Sequence, residues 1–339
     1  MDIRYFNYSN WAKGTRGSSL RRGFKPLIDI IEQTETVHHF NVPHDGSLPW
    51  NMLKNIMYVH KHRTKTGINH ITGDIHYCML GLIGCKSVLT IHDDYAIAKA
   101  HRGPLDKIFK RIFWLYIPIK IASVTVFISQ TTAESISKYV NLKKRNTIVF
   151  SHHSLFADYK YFHKEFSNDC PVILQVGSDP QKNLETTMKA IARTGRKCRL
   201  RVIRKMTAEQ HALAKSLNLD YSNTYDITDE QMLEEYRRAD IVTFPSLFEG
   251  FGLPVLEGQA IGRPVITSDR APMNVVCGGE ESALLLSDPQ DVDEYAEKLT
   301  RLMDDAELRQ TLVANGLKNA RKYSAENAAK KYMEIYKSI

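Results

Sequence analysis

Two glutamates, Glu249 and Glu257, close the last part of the segment Phe244-Pro-Ser-Leu-Phe-Glu-Gly-Phe-Gly-Leu-Pro-Val-Leu-Glu257. The run Ile241–Phe244 reads as a buried strand, Gly250 and Gly252 as a loop, and Pro254 as a first helical position, where a missing N–H costs nothing. Glycines let a backbone approach a ligand closely, and a helix start offers N–H groups and a positive dipole end. The backbone of Gly250, Phe251, Gly252 and Leu253 therefore suits an anion such as a diphosphate. A carboxylate beside that loop is out of place if phosphate is the whole ligand. It fits a ligand that also carries hydroxyls, because carboxylates accept strong bonds from O–H pairs. Glu249 and Glu257 are spaced to grip the sugar and the ribose of one nucleotide-sugar. The plainer alternative makes Glu257 a first-turn helix acid and Glu249 a loop charge.

These residues need a scaffold, and the chain alternates strand and helix patterns throughout. In the first half, strands are expected at 3–8, 37–42, 69–72, 87–92, 123–129 and 147–151, with helices at 19–32, 50–62, 105–117 and 131–139. A polar, aromatic-dotted stretch follows at 157–169. The alternation then restarts with strands at 172–176, 199–204, 241–245, 264–268 and 283–286. Its helices are expected at 184–193, 208–217, 230–239, 254–261, 292–303 and 307–323. This is the pattern of an α/β protein with two doubly wound parallel sheets, whose ligands bind beyond the carboxyl ends of the strands. A length of 339 residues allows each sheet its own core.

The segment Phe248-Glu-Gly-Phe-Gly-Leu-Pro-Val-Leu-Glu257, followed by Gly262-Arg-Pro-Val-Ile-Thr-Ser268, resembles the glutamate–seven residues–glutamate signature of retaining GT-B glycosyltransferases, glycosyltransferase family 4. The likeness extends through Tyr236-Arg-Arg-Ala-Asp240 and Ser282-Ala-Leu-Leu-Leu-Ser287, so that residues 171–305 look like that family's donor-binding domain. The resemblance implies a GT-B fold, two Rossmann-like domains facing a central cleft. Its domains would be 1–160 on the acceptor side and 168–323 on the donor side, with a helix at 324–339 packing back on the first.

In Leu174-Gln-Val-Gly177-Ser-Asp-Pro-Gln-Lys182, a strand meets a glycine turn and a lysine just before a helix. A lysine there can offset the charge developing on a departing diphosphate; the bland reading is a solvated helix-start lysine. Where the family often has an arginine after the turn glycine, this chain has Ser178, and Arg204 or Lys205 is a candidate to compensate. Val88-Leu-Thr-Ile-His92-Asp93 resembles the family's strand ending in His-Asp near the donor sugar. Gly14, in Lys13-Gly14-Thr-Arg16-Gly17, occupies the place of the family's glycine loop, without its double glycine. The loop at 225–228, with Tyr225, is expected to meet the base.

The resemblance thus implies Glu249, His92 and Lys182 as catalytic residues, with His92 reaching the sugar from the opposite wall of the cleft. Donor binding falls to Gly14, Gly177, Ser178, Lys182, Arg204, Tyr225, Gly250–Leu253 by their backbone, and Glu257. The resemblance also implies that the anomeric configuration is retained by front-face attack, that the leaving phosphate helps deprotonate the acceptor hydroxyl, and that neither metal nor cofactor is needed. The resemblance and the basic first half together point to a glycan or lipid-linked glycan as the acceptor, as in bacterial surface polysaccharide assembly.

Charge agrees with an anionic partner for the first half. Residues 1–150 carry 21 Lys and Arg against 10 Asp and Glu, a net +11, whereas 151–339 carry a net −3. Arg21-Arg22 and Lys143-Lys-Arg145 lack interleaved aromatics, which speaks against nucleic acid. The basic, aromatic-rich stretch 105–121 is either a core helix with a basic outer face or a helix lying in an anionic membrane interface. No signal peptide or spanning helix is expected, and five scattered cysteines read as the reduced thiols of a cytoplasmic protein. Asp291-Val-Asp293 spells an acid-x-acid metal motif but sits at a helix start, where acids suit the dipole. His38-His39, His60-Lys-His62 and His152-His153 lack zinc spacing. Three rival readings stay open: a dinucleotide oxidoreductase, for which no G-x-G-x-x-G fingerprint exists; a catalytically silent nucleotide-sugar binder; and a GT-B epimerase or phosphorylase.

Overall fold

The computed structural model describes residues 1–9, 18–45, 48–93, 104–142, 146–149 and 159–339. The expected loop at 13–17, with Gly14 and Gly17, lies outside the described residues, as do Lys143–Arg145 and His152–His153. Two compact units emerge, Met1–Ser154 with Tyr323–Ile339, and Leu155–Lys322.

The first unit is built on six parallel strands: β1 Asp2–Asn7, β2 Thr36–Asn41, β3 Ile68–Ile71, β4 Ser87–Ile91, β5 Val124–Phe127 and β6 Thr147–Val149. Their order is β2-β1-β3-β4-β5-β6. Strand alternation sends Ile3, Tyr5, Val88, Val124 and Val126 to one face, where α1 (Ser18–Ile31) supplies Phe24, Leu27 and Ile28. Phe6, Ile71, Leu89, Ile91 and Phe127 go to the other face. There they meet α2 (Pro49–His62), a 3₁₀ turn (His76–Leu82), and a composite helix formed by α3 (Pro104–Lys110), a π-helical stretch (Arg111–Tyr116) and α4 (Ile117–Ile121). Helix α5 (Gln130–Ser137) is capped by Ser129, whose hydroxyl accepts the Thr132 N–H at 3.1 Å.

A polar chain runs through this core. His70 bonds the Tyr336 hydroxyl at 2.7 Å and Thr90 at 2.8 Å, Thr90 meets the Tyr332 hydroxyl at 3.0 Å, and Tyr336 meets Tyr5 at 3.0 Å. Every member is buried, and burial pushes the His70 pKa down to about 3. The neutral imidazole bonds through both nitrogens, so the last helix is bonded to strands β1, β3 and β4 through satisfied polar groups.

The second unit also holds six parallel strands: β7 Val172–Val176, β8 Arg199–Ile203, β9 Asp220–Thr224, β10 Ile241–Phe244, β11 Val265–Ser268 and β12 Leu284–Leu286. Their order is β12-β11-β10-β7-β8-β9, so the winding reverses between β7 and β10. The helices are α6 (Leu184–Thr194), α7 (Ala208–Ser216), α8 (Asp229–Arg238), α9 (Leu253–Ile261), α10 (Met273–Val276), α11 (Val292–Asp304) and α12 (Ala306–Ala320), with α13 (Ala325–Lys337) belonging to the first unit. Strand β9 was not expected. Its residues Asp-Tyr-Ser-Asn-Thr form a half-exposed edge and carry no apolar run to betray them. Asp291 caps α11, its carboxylate accepting the N–H groups of Asp293 at 2.9 Å and Glu294 at 3.1 Å.

Helix α9 lies directly on the sheet. A Cβ at Gly258 would meet Val242 side-chain atoms at 3.0 Å, a tight contact that the glycine avoids. Arg263 is buried and donates to the carbonyls of Tyr236, Phe162, Gly262 and Arg237, closing helix and linker ends.

Candidate active site

The sheet order places four loops along one carboxyl edge in the succession β10, β7, β8, β9. The residues expected to hold the donor stand on these loops: Glu249 to Leu253 after β10, Gly177 to Lys182 after β7, Arg204 after β8 and Tyr225 after β9. The reversal point between β7 and β10 is where open α/β sheets form their ligand crevice.

Strand β7 ends at Gly177, whose φ of +112° is a conformation L side chains rarely adopt. The chain then makes a single 3₁₀ turn, Pro180–Lys182, and passes through Asn183 at φ +58° into α6. This turn folds the Lys182 side chain back over Gly177. A Cβ at Gly177 would lie 2.5 Å from Lys182 Cγ, 2.9 Å from Cδ and 3.1 Å from Cε. The glycine is thus required twice, for its dihedral and for the path of the lysine. Lys182 Nζ reaches the Glu249 carboxylate as a short ion pair and stands 4.6 Å from the Phe244 ring centroid. Both side chains are largely shielded, 19% and 15% exposed, so the pair sits where its attraction is only partly screened.

Three bonds make the pair's supports rigid. The Gln175 amide on β7 donates to the Lys182 carbonyl at 2.9 Å, the Leu247 N–H donates to the Gln181 carbonyl at 2.8 Å, and the Ser268 hydroxyl donates to the Ser246 carbonyl at 2.7 Å. The loops after β7 and β10 are therefore tied to one another as well as to the sheet. Gln175 Oε1 and Ser246 Oγ are buried without a hydrogen-bond partner among the described residues. Sequence reasoning did not single out Gln175, Phe244 or Ser246. A glutamine inside the apolar run Val-Ile-Leu-Gln-Val was the available signal.

After Glu249 the chain passes Gly250 and buried Phe251 to Gly252, which caps α9 at φ +103°. The helix therefore begins at Leu253, and Pro254 occupies its second position rather than the expected first. A proline is tolerated there because the first-turn N–H groups have no intrahelical acceptor. Glu257, one turn on, is only 3% exposed and accepts the Tyr236 O–H at 2.6 Å. Tyr236 comes from α8 and packs edge-on against Tyr159, ring centroids 5.8 Å apart. Glu249 is thus held by Lys182 and Glu257 by Tyr236, two acids on separate supports.

Ser178 is buried, and its hydroxyl donates to the Lys205 carbonyl at 2.7 Å while its own carbonyl accepts from Gln210 at 2.8 Å. Ser178 thus braces the loop after β8. Arg204 is exposed with φ +117°, its backbone locked by Thr224 at 2.8 Å and Asn223 at 2.6 Å. The Lys205 ammonium stands 5.8 Å from the ring centroid of half-exposed Tyr225.

In the first unit, His92 follows β4 and is 8% exposed. Its Nε2 lies 2.8 Å from the Thr72 carbonyl. A carbonyl only accepts, so this nitrogen carries the proton and Nδ1 is the ring's acceptor. Burial lowers the His92 pKa to about 3, so the imidazole is neutral.

Residues 160–319 match the family model described as Glycosyl transferases group 1. A D-inositol 3-phosphate glycosyltransferase of Corynebacterium urealyticum is 36% identical over 110 residues, 32% of this chain and 26% of that protein. The O-antigen chain mannosyltransferase B of Escherichia coli is 34% identical over 113 residues, 33% of this chain and 29% of that protein. The aligned stretch spans between a quarter and a third of these relatives' length. The fold is similar along the whole chain to sucrose-phosphate synthase from Thermosynechococcus elongatus, with a TM-score of 0.81 at 19% identity, covering 100% of this chain and 98% of that one. It is also similar to Anabaena HepE, solved with UDP and glucose, with a TM-score of 0.77 at 15% identity over 100% of both chains. The architecture, two Rossmann-like units each on a parallel six-stranded sheet, is that of GT-B glycosyltransferases.

Proposed function

We propose that this chain is a retaining, metal-independent glycosyltransferase that moves a sugar from a nucleotide-sugar to a hydroxyl of a glycan or lipid-linked acceptor. The observation that carries the reading is the shielded Lys182–Glu249 pair folded over Gly177 at the reversal point of the second sheet. It lies inside the stretch that matches the group 1 family model. An inert surface lysine needs no glycine beneath it and no buried glutamine behind it.

In this reading the donor diphosphate takes over the Lys182 ammonium, and the backbone of Gly250–Leu253 at the start of α9 adds N–H groups and the dipole. Glu249, released from the lysine, accepts hydroxyls of the transferred sugar. Glu257 takes the ribose hydroxyls, with Tyr236 holding its other side, and Tyr225 and Arg204 face the base end. Gly14 is assigned to the same donor from the sequence alone. The bond from the sugar's anomeric carbon to the phosphate oxygen breaks as the bond to the acceptor oxygen forms on the same face. The acceptor's proton passes to the leaving phosphate, whose growing charge Lys182 offsets. His92, neutral and fixed in one tautomer, assists at the sugar. The O-antigen chain mannosyltransferase among the relatives supports a surface-polysaccharide acceptor.

The test is a thermal-shift screen of UDP-, GDP- and ADP-sugars, followed by turnover of the stabilising donor with an acceptor extract. Stabilisation by one donor and release of its nucleoside diphosphate with acceptor are expected. No stabilisation by any donor refutes the site. Stabilisation without turnover would make the chain a nucleotide-sugar binder.

A further inference from the structure

Helix α2 and the composite α3–π–α4 helix share one layer. Both pack on the same face of the first sheet through Met52, Val59, Trp114, Leu115 and Ile119, and both touch the 3₁₀ turn at His76–Leu82. Their inner faces are therefore accounted for. The outer faces ought to be polar, since a surface helix carries a single apolar stripe, and they are not. On α2, Trp50 is 65% exposed, Leu53 45% and Met57 63%, at spacings that fall on one face. On the neighbouring helix Leu105 is 81% exposed, Ile108 54% and Tyr116 47%, again on one face.

The charges beside these stripes have one sign. Residues 48–73 contain Lys54, Lys61, Arg63 and Lys65 and no acid, and 104–121 contain Lys107, Lys110, Arg111 and Lys120 against Asp106 alone. Asp106 is spent on Lys110, 3.2 Å away. The Lys54 ammonium stands 5.9 Å from the Trp50 ring centroid, an aromatic and a cation side by side.

We infer that the outer side of these two helices in the first unit is a docking surface for an anionic lipid bilayer. Tryptophan, tyrosine and aliphatic side chains with lysines among them match the boundary between headgroups and acyl chains, where rings and methyls enter and ammonium groups stay with the phosphates. A second copy of this chain fits poorly, because it would set two basic helix pairs against each other. A protein partner is also disfavoured, since lysine is depleted from the cores of such interfaces. No described helix is long and apolar enough to cross a membrane, so the surface is one that lies on the bilayer. The expected core helix with a basic outer face thus has a second apolar side, and α2 adds to it a partner that was not anticipated. The inference is independent of the donor site, which lies in the other unit, although a lipid-linked acceptor would give it a purpose.

The test uses the full chain with vesicles of phosphatidylcholine alone and of phosphatidylcholine mixed with phosphatidylglycerol. Sedimentation with the anionic vesicles only is expected, weakened by high salt, with a blue shift of Trp50 emission that Trp50→Phe removes. The double variants Leu105→Glu/Ile108→Glu and Trp50→Glu/Met57→Glu should each reduce vesicle affinity about tenfold or more. Their melting midpoints and donor-induced thermal shifts should stay at the wild-type values, since the side chains are exposed. Absence of binding to anionic vesicles at low salt overturns the inference, as does equal binding by both variants. A concentration-dependent dimer that the variants dissociate would assign the face to a second copy instead.

Discussion

The folding of Lys182 over Gly177 can be tested by a double-mutant cycle. Gly177→Ala adds a Cβ at φ +112°, a conformation that costs an L residue about 1–3 kcal/mol. It also places that Cβ 2.5 Å from Lys182 Cγ, well inside contact distance, an overpacking cost of about 1–3 kcal/mol more. The lysine cannot give way cheaply, because Glu249 and the Phe244 ring hold its far end and Gln175 holds its carbonyl. In a Lys182→Ala background the second cost vanishes while the dihedral cost stays, because the Lys182 Cγ, Cδ and Cε are gone. The cycle should therefore show a coupling of about 1–3 kcal/mol, read by urea denaturation of the four proteins. On heating, each kcal/mol corresponds to about 2–4 °C for a unit of this size. Equal destabilisation by Gly177→Ala in both backgrounds would mean that the lysine stem does not cross the glycine. Lys182 would then not be positioned by the glycine beneath it.

The remaining predictions concern the two acids and the buried histidines. Glu249→Ala frees Lys182 for phosphate, so nucleoside diphosphate affinity by calorimetry should hold or rise while turnover falls about 10²-fold or more; equal turnover removes Glu249 from the reaction. Lys182→Ala should damage both binding and turnover, and wild-type values for both would clear the lysine. Tyr236→Phe removes the hydroxyl that Glu257 accepts and should lower stability by about 1–3 kcal/mol in a chemical melt; an unchanged midpoint would show that the bond is not needed. Burial lowers the pKa values of His70 and His92 to about 3 and of His76 to about 4, below the unfolded value of 6.5. Between these limits the unfolded chain binds more protons than the folded one, so stability rises with pH. The first unit should be fully stable above about pH 6.5 and lose stability progressively down to about pH 4. His92→Gln should flatten that slope by one proton, and a pH-independent melt over the same interval would contradict the buried neutral imidazoles.

The alternation of strand and helix was legible because each buried strand carries a run of β-branched or aliphatic residues, as in Val88-Leu-Thr-Ile and Ile241-Val-Thr-Phe. Strand β9 escaped for the converse reason. An edge strand half open to water needs no apolar run, and Asp-Tyr-Ser-Asn-Thr reads as a loop until a neighbour supplies its hydrogen bonds. Helix α9 starts one residue before the proline that marks its boundary in the sequence, because a glycine at positive φ sets the start. Local chemistry marked Gly177, Lys182, Glu249 and Glu257 as residues of interest, since glycine turns and helix starts announce themselves within a few positions.

Partnership is another matter. Lys182 and Glu249 are 67 positions apart, and nothing local to either names the other. They meet because β10 inserts beside β7 rather than beyond β9. The same holds for Glu257 and Tyr236, and for the outer faces of α2 and α3. The sequence marked 50–62 as helical and 105–121 as basic and aromatic-rich. Only the packed core, by using up one side of each, revealed that apolar side chains were left over on the other. Sequence determines which short segments bury themselves and where the backbone can turn. Long-range contacts decide which charges neutralise each other and which apolar atoms stay in water, because both depend on what the rest of the chain brings alongside.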